Sequence, residues 1–89
     1  MTIKVEIPST ARLKGMGVTN WPVWTKEVSE FPWTYTETET CYFLEGEVIV
    51  ESEGNDPVVI GKGDLVIFPA GLSCVWKISK DVKKHYRYS

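Results

Sequence analysis

The sequence predicts an all-β fold, an antiparallel sandwich or small barrel, and three observations carry that expectation. Apolar and polar residues alternate over short runs, the period of a strand with one buried face. Clusters of Gly, Pro, Asn and Asp interrupt those runs at near-regular intervals. Only one short stretch has the signals of a helix.

In chain order, Ile3, Val5 and Ile7 alternate with Thr2, Lys4 and Glu6, a strand closed by Pro8. Ser9 or Thr10 caps a helical turn through Leu13, which Gly15 and Gly17 end. Trp21 to Ser29 reads as a strand, and Phe31 to Thr36 as another, with Pro32 favouring an edge. Glu39 to Leu44, a tight turn at Glu45-Gly46, and Glu47 to Glu53 form an expected hairpin. Gly54-Asn55-Asp56-Pro57 is a turn before the strand Val58 to Ile60, and Gly61 to Asp64 turns again into Leu65 to Phe68. Pro69-Ala70-Gly71 breaks that strand, and Cys74 to Ile78 and Val82 to Tyr88 complete a set of eight or nine. Gly46, Gly63 and Gly71 are expected at turns with positive φ.

The 89 residues suit a single domain, residues 1–89, with a short segment 1–20 packing on a barrel of residues 21–89. Four tryptophans imply an interior wide enough for large side chains, or a surface that dimerises. The net charge of -2 argues against a nucleic-acid binder, which needs clustered cations. One basic cluster, Lys80, Lys83, Lys84 and Arg87, reads as the charged face of a terminal edge strand that blocks edge pairing. No run is long enough to span a membrane, so a cytoplasmic protein with reduced Cys41 and Cys74 is expected.

Strand parity predicts an interior containing Val48, Val50, Val66, Phe68, Cys74, Trp76 and Ile78. Between Glu39 and Leu44 both faces carry apolar residues, Cys41 and Phe43 on one and Tyr42 and Leu44 on the other. Such a strand is covered on both sides, by the N-terminal segment or by a second subunit, so a homodimer is an expectation.

Glu39 is followed by six residues and Gly46, in the setting Tyr42-Phe43-Leu44-Glu45-Gly46-Glu47, and Gly63, Asp64, Phe68, Pro69 and Gly71 fall in order further on. Together these resemble the two motifs of the cupin family, which implies a double-stranded jelly-roll barrel. With Trp21-Pro22-Val23-Trp24 and a cysteine in each motif region, the chain looks like the very small cupins grouped with the ureidoglycine aminohydrolase cupin domain. The resemblance implies three histidines and a glutamate around a metal. Here Trp33 and Tyr35 hold the His-x-His positions and Cys74 holds that of the later histidine, so only Glu39 carries over. The usual metal site is therefore not expected, and a metal-dependent ureide-type aminohydrolase stays only as an alternative. His85, the lone histidine, alternates away from Tyr86 and Tyr88 and reads as a surface or interface residue.

The chemistry left open has four readings. Glu39 and Cys41 share a strand face, and with Cys74 they offer a carboxylate and two thiols to a divalent metal such as zinc, with no fourth ligand evident. Alternatively, walling Glu39 in with Trp33, Phe43 and Trp76 disfavours its charged form and suits a metal-independent general acid or base, with Cys41 or Cys74 as candidate nucleophiles lacking a visible activating His or Lys. The third reading is a module that binds a small polar metabolite in an aromatic pocket of Trp33, Tyr35, Phe43 and Trp76, without a cofactor. The fourth makes Glu39 a satisfied buried carboxylate and the thiols ordinary core residues.

Overall fold

The computed structural model describes the whole chain, Met1–Ser89. Its seven strands, all paired antiparallel, are β1 (Lys4–Glu6), β2 (Val23–Lys26), β3 (Ser29–Thr34), β4 (Glu39–Glu51), β5 (Val58–Gly61), β6 (Leu65–Phe68) and β7 (Ser73–Tyr88). Between β1 and β2 lie α1 (Thr10–Met16) and a 3₁₀ turn, Val18–Asn20. The Ser9 hydroxyl accepts the Arg12 N–H at 3.1 Å to cap α1, and Gly17 ends it in the left-handed region at φ 68°.

The sheet order β1-β6-β4-β7-β2, with β5 added to β4 and β3 to β7, makes the two long central strands its frame. Each changes neighbours along its length. Glu39 to Tyr42 of β4 pair with β6, while Glu47 to Val50 pair with β5. Ser73 to Ile78 of β7 pair with β3, while Val82 to His85 pair with β2. Between the halves the β4–β7 ladder shifts register at Phe43/Glu45, Glu45/Glu47 and Glu47/Val48. Those bulges let the sheet curl round one interior, an all-β cupin barrel.

Three expectations change here. Glu45-Gly46 is no hairpin turn, because β4 continues through it; Gly46 keeps its positive φ, 107°, at the bulge. A Cβ on Gly46 would lie 2.6 Å from the Asp81 carbonyl oxygen and 2.7 Å from Val82 Cα, so close approach of the bent strands also demands glycine. Cys74 to Ile78 and Val82 to Tyr88 are one 16-residue strand. That strand is central, flanked by β4 on one side and by β3 and β2 on the other, so its lysines do not guard an edge.

The core holds every residue that parity assigned to it: Val48, Val50, Val66, Phe68, Cys74, Trp76 and Ile78 are all buried, with Cys41, Phe43, Ile60 and Val82. Along β1 the pattern fails, since Ile3 packs on the core while Val5 and Ile7 are exposed. Segment 18–21 contributes the buried Val18 and Trp21 and contacts β7, where the Trp21 carbonyl oxygen lies 2.9 Å from His85 Nδ1 and Arg87 stacks over the Trp21 ring at 4.6 Å. This accounts for His85 standing outside the interior. No helix is long and apolar enough to cross a membrane.

Candidate functional site

One cavity of about 90 Å³ opens at an end of the barrel, lined by Trp24, Phe31, Trp33, Tyr35, Glu39, Trp76, Lys84, Tyr86 and Tyr88. Strand alternation places them: β3 sends Phe31 and Trp33 inward, β7 sends Trp76, Lys84, Tyr86 and Tyr88, and β4 opens on Glu39. Trp33 is half exposed at the rim, and its ring meets the buried Tyr35 ring edge-on at 6.5 Å. Tyr35 stacks on Phe68 at 4.7 Å, and Trp76 contacts Trp24, Phe31, Phe43 and Phe68 at 5.7 to 6.2 Å between centroids. The walls are aromatic.

At the base sits an ion pair. Lys84 Nζ lies 2.6 Å from Glu39 Oε2, with the two side chains only 6% and 5% exposed. The same Nζ is 3.2 Å from Cys41 Sγ, and the Cys41 thiol donates to Glu39 Oε2 at 2.8 Å. Lys84 Nζ also stands 4.9 Å from the ring centroids of both Trp24 and Trp76 and 5.9 Å from those of Phe43 and Phe68. A desolvated cation held this way loses water but gains a carboxylate and two indole faces.

Lys84 is the residue that sequence reasoning missed, hidden in a cluster read as surface charge. Glu39 is therefore not a lone carboxyl among aromatics but half of a neutralised pair. Trp24, Phe31, Tyr86 and Tyr88 were missed as wall residues too.

The other candidates divide. Glu39, Trp33, Tyr35 and Trp76 come together at the cavity. Phe43 is fully buried, stacked on Trp76 at 6.2 Å, and is not part of the lining. Cys41 is likewise fully buried, and burial first, with Glu39's charge adding and Lys84 opposing, pushes its thiol well above its usual range. It is a neutral donor, unsuited to nucleophilic attack. Cys74 is separate: it belongs to the half of β7 that pairs with β3, its thiol approaches the Trp33 carbonyl oxygen at 3.6 Å, and it borders a shallow recess with Glu51, Ser52 and Glu53. Burial raises its pKa as well. The Tyr35 phenol is pushed far above its ordinary value, chiefly by burial and then by Glu39, so it stays protonated.

Trp76 carries the one buried side-chain N–H without a hydrogen-bond partner. The indole lies near enough to favour ionisation of Tyr35 and Cys74. Neither group meets it at bonding geometry, and directionality decides whether such a contact is a hydrogen bond.

The residues do not fit the metal that cupins usually carry. Indole and phenol stand at two ligand positions, an ammonium already occupies the glutamate oxygen, and no three His, Cys, Asp or Glu side chains converge to hold an ion. In particular, the set Glu39, Cys41 and Cys74 is not assembled.

Fold and site together define a cupin barrel whose motif glutamate is paired with a buried lysine. More narrowly, residues 13–86 match the EutQ-like cupin domain, and the chain belongs to that family. The structure is similar to that of a DUF861 family protein from Thermotoga maritima, 51% identical, with a TM-score of 0.97 over 99% of this chain and 100% of that one. It is also similar to ethanolamine utilization protein Q of Salmonella typhimurium, at 29% identity and TM-score 0.66, over 74% of this chain and 53% of that one. The EutQ protein of Clostridium difficile shares the fold at 20% identity and TM-score 0.67, over 74% of this chain and 52% of that one. The chain thus aligns with about half the length of each EutQ protein. No curated protein sequence matches it.

Proposed function

We propose that this cupin domain binds a small, uncharged polar metabolite at the barrel mouth. The observation that carries the reading is the Glu39–Lys84 pair lining an aromatic cavity instead of being sealed in the core. Because the pair cancels its own charge, a net charge on the ligand gains little there. A neutral molecule with a hydrogen-bond acceptor for the lysine, or a donor for the carboxylate, gains both contacts and the apolar walls. A cavity of about 90 Å³ has room for roughly three water-sized groups, so the ligand, or the part that enters, is small.

The test is quenching or enhancement of tryptophan fluorescence by a panel of small amides, ureides, aldehydes and alcohols. Trp24→Leu should weaken the response, and a panel without any effect on fluorescence or melting temperature counts against binding.

Catalysis at the same place is the second reading, favoured by the 2.6 Å contact, which gives Glu39 a proton to take and return. It assigns no role to Cys41 or Cys74 as nucleophiles. A ureide substrate suits the neutral, hydrogen-bonding character of the site. The metal-dependent version of that activity does not suit a glutamate already bound to an ammonium.

A further inference from the structure

We infer that Lys84 is the amine of a covalent site that forms an imine with a small aldehyde or ketone entering the barrel mouth. This rests on the reading of the cavity as a binding site for a small neutral molecule, and it names the functional group that the site selects.

A buried lysine is rare and needs a reason. Salt-bridge stability is a weak one, because a hydrophobic replacement of a buried pair is often as stable. Lys84 does not end inside packed core but lines the cavity, so its amine meets whatever enters. Its surroundings match the requirements of imine formation. The amine must first lose a proton, and Glu39 Oε2 at 2.6 Å is placed to take it. Transfer along that bond converts a buried ion pair into two neutral groups without exporting charge. Cys41, donating its own hydrogen to Glu39 at 2.8 Å, holds the carboxylate oriented and does not compete as a nucleophile.

The balance closes within the site. Lys84 passes one proton to Glu39, and the freed lone pair forms a C–N bond as the carbonyl π electrons move to oxygen. The nitrogen then gives a second proton to that oxygen, producing a neutral carbinolamine. Glu39 returns its proton to the hydroxyl, the C–O bond breaks, water leaves, and the nitrogen lone pair completes the C=N bond. Carbonyl and ammonium become iminium and water, with the positive charge unchanged in sign and place. The contacts of Nζ with Glu39 and with the Trp24 and Trp76 faces, present for the ammonium, therefore also stabilise the product. A carbonyl compound of a few carbons fits the cavity volume.

The test uses the full chain without mutation. The protein is incubated with propionaldehyde and cyanoborohydride, which reduces an iminium to a stable N-propyl amine, and the modified lysines are mapped by peptide mass spectrometry over time. Lys84 is expected to be labelled on the order of tenfold faster than the exposed Lys80 and Lys83, and excess propionamide, an unreactive analogue, should slow Lys84 alone. Labelling of Lys80 and Lys83 with Lys84 untouched overturns the inference. If propionamide nevertheless shifts the indole N–H resonances of the cavity tryptophans, the imine fails while the binding reading stands. If it shifts none, both fail.

Discussion

Replacing Lys84 with methionine keeps the length and apolar stem of the side chain but removes the ammonium. Glu39 is then left with its carboxylate 5% exposed, supported by the Cys41 thiol and the neighbouring Tyr88 phenol but by no cation. Breaking a buried pair from one side costs about 3–5 kcal/mol, to which loss of the contacts with the Trp24 and Trp76 rings adds. In a domain whose total stability is on the order of 5–15 kcal/mol, that is a large fraction. For a chain this short it corresponds to a fall in melting temperature of roughly 10 °C or more. Removing both charges should cost much less, because no unpaired ion remains. The double variant Glu39→Gln/Lys84→Met should recover on the order of 2 kcal/mol relative to Lys84→Met. Urea unfolding followed by tryptophan fluorescence measures all of these, with the midpoint shifting and the slope held. A single variant within 1 kcal/mol of the parent protein, or a double variant no better than the single, would refute the claim that the pair is buried and coupled.

Other outcomes follow from the same geometry. Gly46→Ala should cost at least about 2 kcal/mol in thermal melts, since its Cβ meets Asp81 and Val82 backbone at a positive φ; an unchanged melting temperature would mean that β4 and β7 do not approach there. Alkaline pH should destabilise the fold. The Cys41 and Tyr35 groups are raised above their ordinary values of 9.0 and 10.0, so above those values the unfolded chain releases protons that the native state keeps. Stability contributed by these groups is flat below about pH 9 and then falls by about 1.4 kcal/mol per pH unit for each titrating group; Cys41→Val should flatten the first part of that fall in melts run across pH. Dialysis against a chelator should leave the melting temperature unchanged, and stoichiometric metal in the purified protein together with a drop on chelation would contradict the site geometry.

The barrel was largely legible in the sequence because its information is periodic. Val48 with Val50, Val66 with Phe68, and Cys74 with Trp76 and Ile78 announced their face by parity alone. The continuity of β4 and β7 was not legible. Glycine after Glu45 and the polar run Ser79-Lys80-Asp81 carry turn signals, but neighbours on both sides of each strand supply pairing that overrides local preference. At the site, Glu39, Trp33 and Tyr35 could be located by motif, and Trp76 by parity. Lys84 escaped because three cations around it really are exposed. Two signals pointed to it: its parity with the buried Val82, and the need of a buried Glu39 for a partner. Phe43 and Cys41 show the limit of parity, which tells which face a side chain takes and not how deep it lies.

The central claim is that the cavity above Glu39 and Lys84 is the functional surface of this domain, and its tryptophans provide a direct measurement. Trp24, Trp33 and Trp76 line the cavity, whereas Trp21 lies outside it beneath Arg87. In a ¹⁵N-labelled sample titrated with propionamide, the indole N–H resonances of Trp24, Trp33 and Trp76 should move, while that of Trp21 stays fixed. Movement of Trp21 alone, or of none of the four, would contradict the account.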